Sequence, residues 1–152
     1  MIKRVLTGTF LLLFLGFGVP SFAATQTAKP IVYASVSPIE LVNKPSSYLG
    51  KNVKFDATFN KFSTLGLDYK PAMRSSKDYI SFLVKRDDVS DHIVPLSELK
   101  IFIKRAAAEK LVDLESGDKI EVKGKVFSNA LGDAWMDANE VKNLSPKPAK
   151  KP

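Results

Sequence analysis

Two stretches far apart in the chain carry the same pattern: GKNVKFDATFNKF from Gly50 and GDKIEVKGKVF from Gly117. In the first, Val53, Phe55, Ala57 and Phe59 share one face, and Lys54, Asp56, Thr58 and Asn60 share the other. In the second, Ile120, Val122 and Val126 lie opposite Lys119, Glu121, Lys123 and Lys125. A strict period of two specifies strands that bury one face and wet the other. Gly124 falls on the buried face with no side chain to pack. Glycine in a strand interior marks a bulge, a sharp bend or the close approach of another backbone. Ala57 is its counterpart in the first copy, so bending there is less assured.

The rest of the chain supplies the other elements. Ser37 precedes PIELV as an N-cap, with Pro38 at the first helical position and Glu40 in the first turn, which predicts a short helix ending by Asn43. KPSSYLG reads as a turn. The stretch from Ser63 to Lys77 holds Gly66, Pro71 and paired serines, a long connection. DYISFLVKR is a second strand. LKIFIKRAAAEKLVDL can be one helix or a strand followed by a helix. The strand formers Ile101, Phe102 and Ile103 precede the alanines, which favours the second, with Ala107, Leu111 and Leu114 as the helix's apolar stripe. SNALGD is a turn, and AWMDANEVKNL the last strand.

The predicted fold is therefore mainly β: five short strands, a short N-terminal helix, and a short helix between strands three and four. That is the layout of the OB-fold barrel. In such a barrel the first and fourth strands pair, as the two similar copies would. The run from Pro38 to Leu144, with Tyr48-Leu49-Gly50-Lys51 before strand one and Gly117-Asp118 opening strand four, resembles exported bacterial OB-fold domains of the nucleic-acid-binding-like (tRNA-anticodon-binding-like) superfamily. The resemblance implies a binding module, whose ligands range from nucleic acid to peptides, sugars and small cations. Fold alone does not choose among them.

The N-terminus MIKRVLTGTFLLLFLGFGVPSFAA has a basic start, an apolar run from Val5 to Phe17 and a small-x-small site at Ser21-Phe22-Ala23. This is the pattern of a secretory signal peptide over residues 1–23. Its apolar run is shorter than the ~20 residues that span a bilayer. The expected organisation is a linker over 24–36, the barrel over 37–144 and a disordered basic tail over 145–152, and the expected address is periplasmic or secreted. Six of the 23 basic residues (Lys3, Arg4, Lys29, Lys147, Lys150, Lys151) lie outside Val36–Leu144, which leaves 17 against 16 acidic ones. The formal charge of +7 thus belongs mostly to the ends. A phosphate-tracking surface normally carries a larger excess.

Chemistry is sparse. With no Cys, disulfides, thiolate metal sites and cysteine nucleophiles are excluded. Asp87, Asp88, Asp91 and His92 could offer oxygen and nitrogen ligands, but their spacing does not match a calcium loop, and turn aspartates explain them better. One histidine and no nucleophile elbow argue against a hydrolase. Asp133 and Asp137 flank Trp135; the expectation is that Trp135 caps the barrel core and the aspartates are turn and solvent residues. Neither enzyme activity, a cofactor nor a metal is expected.

Binding on an OB barrel uses strands two and three and the loops that frame them. The candidate ligand-binding residues are Tyr69, Lys70, Arg74 and Lys77 on the first loop, Tyr79 on strand two, Phe102 and Lys104 on strand three, and Asn129 near the second loop. Aromatic faces among cations suit single-stranded nucleic acid. Near-neutrality and the exported address favour a protein, peptide or envelope ligand instead. A cation-binding envelope stress protein is the third expectation.

Overall fold

The computed structural model describes residues 30–90 and 94–145. The expected signal peptide, residues 24–29 of the expected linker, Asp91, His92 and the tail lysines lie outside the described residues. The element order is β1 (Ala34–Ser35), α1 (Pro38–Asn43), α2 (Pro45–Tyr48), β2 (Asn52–Ser63), β3 (Tyr79–Val84), β4 (Leu99–Lys104), α3 (Arg105–Ala108), β5 (Lys119–Ser128) and β6 (Ala134–Asn143).

Strands β2 to β6 are the five expected from the sequence and close into an OB-like barrel. Their sheet order is β1-β2-β3-β4-β6-β5, and β5 returns to pair with β2. The two echoing strands are these partners: Asn52 to Thr58 run antiparallel to Lys125 to Lys119. The far end of β2 pairs with β3, so β2 must turn from one neighbour to the other. The register shift that allows this lies between Phe59 and Lys61, beyond Ala57. A bulge increases local twist and bends the strand.

At Gly124 two of the three physical reasons hold together. The β5–β6 register shifts between Lys123 and Gly124, and a Cβ there would stand 2.1 Å from the Asp137 carbonyl oxygen. Only glycine lets the two backbones approach so closely.

The inward faces fill the core. Val53, Phe55, Ala57, Phe59, Ile120, Val122 and Val126 are all buried in one cluster, with Phe82, Val84, Leu99, Ile101, Ile103 and Met136 from the other strands. Leu41 of α1 and Ala108 of α3 belong to the same cluster. The Ser37 hydroxyl accepts from Glu40 N–H at 3.1 Å, the predicted cap. Residues 99–111 are a strand, one α-turn and one 3-10 turn (Glu109–Leu111), and Ala107, Leu111 and Leu114 pack on the core. KPSSYLG departs from a simple turn: Pro45 starts a helical turn, whose Tyr48 hydroxyl donates to Glu40 at 2.7 Å. Ala34–Ser35, in the stretch read as linker, runs parallel to Val53–Lys54 of β2.

Candidate ligand face and loop groove

Alternation along β4 and β6 sends Phe102 and Trp135 to the outside of the barrel, away from Ile101, Ile103 and Met136. They form a second, smaller apolar cluster with Ala72, joined by Leu67, Tyr69, Tyr79, Phe127 and Ala130. Trp135 therefore does not cap the barrel core. It lies under the long loop between β2 and β3, because its neighbours Ala134 and Met136 already take the inward positions. Its ring nitrogen donates to the Ala130 carbonyl at 2.7 Å, and Tyr69 and Phe102 stack near it at 5.4 and 5.9 Å between centroids. Gly66, at φ +81°, lies flat on the ring: a Cβ there would be 2.9 Å from Trp135 Cζ3.

The two aspartates are likewise not free turn and solvent residues. Asp137 Oδ1 and Oδ2 accept from Arg74 Nε and Nη2 at 2.7 and 2.6 Å. The same guanidinium covers the Phe127 ring at 3.7 Å. The Asp137 hydrogen bond holds Arg74 above its already high range. Asp133 accepts from Lys100 Nζ at 2.7 Å, and that ammonium also donates to the Ser97 carbonyl. Each carboxylate is placed outward by β6 or the turn before it, beside a cation of a neighbouring segment.

The sequence-predicted site residues divide into three groups. Tyr69, Arg74 and Phe102 come together with Tyr79 on the outer face, but Phe102 is fully buried, Tyr69 is stacked on Trp135, and Arg74 is paired. Tyr79 and Lys104 line a cleft of about 270 Å³ with Ala107, Asp137, Ala138 and Asn139. Lys70 and Lys77 are exposed on the loop, and Asn129 Nδ2 is turned to Ser46 Oγ at 2.9 Å. In the acidic loop, Arg86 engages Asp88 with two nitrogens, each at 2.9 Å. Among the described residues no three His, Cys, Asp or Glu side chains converge as a metal cage.

A larger open groove of about 490 Å³ lies between the β2–β3 and β5–β6 loops. Trp135 and Tyr69 are among its apolar lining, Leu65 and Leu131 among its loop residues, and Lys100, Asp133 and Asp68 its polar members. Leu65 and Leu131 are 39% and 73% exposed. Leu131 also holds a positive φ of 61°, a strained setting for a bulky residue. Sequence reasoning passed over both leucines. The available signal was that each stands before a glycine in a polar turn, where an apolar side chain has no core to enter.

No family model and no curated protein sequence matches the chain. Among solved structures it is similar to a putative aspartyl-tRNA synthetase from Leishmania major Friedlin, at 8% identity and a TM-score of 0.48, over 79% of this chain and 22% of that one. The chain thus spans about a fifth of the synthetase's length. It is also similar to an OBody, AM1L10, bound to hen egg-white lysozyme, at 13% identity and a TM-score of 0.42, over 66% of this chain and 85% of that one. No helix among the described residues is long and apolar enough to cross a membrane.

Proposed function

We propose that this chain is an exported, non-enzymatic binding module whose OB-like barrel takes a protein or peptide ligand in the groove between its two long loops. The observation that carries this reading is the division of the outer face. The rings that would stack bases are used by the chain itself, through Tyr69 on Trp135 and Arg74 on Phe127. What stays open is a groove with two projecting leucines and an internally neutralised Lys100–Asp133 pair. Apolar anchors ringed by polar groups are the composition of a protein interface.

Charge supports the same choice. Asp68 lines the groove, and hydrogen bonds from Ser76 hold its carboxyl below the usual range, so it stays anionic. Asp68, which among the described residues has no ion-pair partner such as Lys100 is for Asp133, would repel a phosphodiester chain, whereas a peptide brings no such charge. Single-stranded nucleic acid is the second reading. It draws on Lys70, Lys77 and Lys104, which are exposed at the edge of the same face.

The test is selection of binders from a random peptide library, repeated with Leu131→Glu. Enrichment of apolar peptides by the natural sequence and its loss in the variant are expected. Equal enrichment by both would remove the groove from the account. Export is tested by intact mass: the envelope form should begin at Ala24, and retained Met1 would contradict it.

A further inference from the structure

Residues 64–74 form a small folded unit laid across the outer face. Among the described residues, their backbone hydrogen bonds close within residues 63–76. Leu65 N–H donates to Ser63 Oγ, Leu67 N–H to Thr64 O, Asp68 N–H to Arg74 O and Ala72 N–H to Tyr69 O. The unit meets the barrel through other contacts: Gly66 and Tyr69 on Trp135, Ala72 in the same cluster, and Arg74 on Phe127 and Asp137. It shares no backbone ladder with the face that it covers, so it can leave as a unit.

We propose that this strap is an intramolecular stand-in for the ligand, and that a peptide carrying an aromatic side chain and an arginine displaces it, taking over Trp135 and Asp137. The proposal rests on the reading that the ligand is a polypeptide; because Leu65 to Tyr69 also line the open groove, displacement of the strap moves the ligand's seat from that groove to the face beneath it. With the strap lifted, the face presents Trp135, Phe102 and Phe127 around the Asp137 carboxylate. An aromatic side chain replaces the Tyr69 stack. A guanidinium replaces Arg74 with the same two-pronged geometry, which a lysine cannot copy. A nucleic acid would instead bring phosphates to an unpaired carboxylate. Ser81, cross-strand from Phe102, adds a second point of attachment. Its hydroxyl is buried and has no hydrogen-bond partner among the described residues, so an occupant that reaches it satisfies a group the strap leaves unsatisfied.

Trp135 is the only tryptophan, so its emission reports directly on the strap. The full chain carrying Arg74→Gln should show red-shifted emission and several-fold stronger acrylamide quenching than the natural sequence. Synthetic STLGLDYKPAMRSSK (residues 63–77) should then restore protection in a saturable manner. The same peptide with Tyr69→Ala or Arg74→Gln should bind about tenfold more weakly, the scale of one charge-assisted or stacking contact. In the natural protein, millimolar peptide, matching the effective concentration of a short tether, should speed hydrogen exchange of the strap amides. The library selection with Leu131→Glu reads the groove and Trp135 protection in Arg74→Gln reads the strap, so the two readings can fail separately. A Trp135 that stays protected in Arg74→Gln, unchanged strap exchange with excess peptide, or preference of the variant for oligo-dT over the peptide would each overturn the proposal.

Discussion

Arg74 and Asp137, 63 positions apart in the chain, meet in a two-pronged ion pair with nitrogen–oxygen distances of 2.7 and 2.6 Å. The pair joins the middle of the long loop to the last strand, and the guanidinium lies on Phe127 as it does so. One contact thus combines a charged hydrogen bond, loop closure and cover for an aromatic ring.

The pair's side chains are about a quarter exposed, at 24% and 27%, between the surface and buried regimes. Exposed pairs couple by ~0.2–1 kcal/mol, and hydrogen bonds to charged groups contribute ~1.5–3 kcal/mol. A double-mutant cycle with Arg74→Gln and Asp137→Asn, followed by urea unfolding, should therefore return a coupling of about 1–2 kcal/mol. Additive single losses would mean that the two side chains do not support one another.

Gly124→Ala should be among the most damaging single substitutions available in the barrel wall. The new methyl would stand 2.1 Å from the Asp137 carbonyl oxygen and 2.7 Å from Met136 Cε. The methionine can move, but the paired backbone can do so only by breaking the β5–β6 ladder. A loss of about 3 kcal/mol or more is expected, at the upper end of overpacking effects. A domain has only ~5–15 kcal/mol to lose. Ala57→Gly, at the echoing position, should cost far less, because nothing there requires glycine. Equal melting temperatures for Gly124→Ala and the natural sequence would contradict the close approach.

Acid should weaken the fold through Asp88, Glu98 and Asp68. Arg86 hydrogen bonds hold Asp88 below its usual value of 3.8. For Glu98, desolvation pushes upward, but its own backbone N–H and Arg86 outweigh that and hold it below 4.5. Asp68 is lowered from 3.8 by Ser76. A carboxylate with a depressed folded pKa stabilises the fold above its unfolded pKa, and that stabilisation is lost as pH falls through the folded value. The loss from these groups should begin as pH drops through 4.5 and 3.8 and be complete only below those values. Arg86→Gln should flatten this acid limb. Superimposable pH–stability curves would place the stabilisation elsewhere.

The barrel was legible because its signals are local. Alternation around Phe55 and Val122 names the buried faces, and Gly124 announces the tight crossing before any partner is known. The boundary between β4 and α3 followed from strand formers giving way to alanines. The outer face was harder to read. Trp135 and Phe102 look like core residues by composition, and they are buried, but against a loop whose path no periodicity encodes. Asp137 reads as a solvent residue until Arg74, far away in sequence, is placed on it. Leu65 and Leu131 look incidental until the two loops stand on either side of one groove.

The stacking face serves the chain's own loop, and the open surface is the one proposed to take a polypeptide. The most direct measurement is titration with single-stranded DNA at several salt concentrations, with Lys70, Arg74 and Lys77 replaced together by Ala and, separately, with Tyr79→Ala. Weak or undetectable binding at physiological salt is predicted, with no dependence on these residues. The opposite result would be submicromolar binding whose log–log salt slope, about −0.7 per phosphate contact, flattens by roughly 2 in the triple variant. Loss of ~1–3 kcal/mol in Tyr79→Ala with the slope unchanged would complete that contradiction and make the outer face a nucleic-acid site.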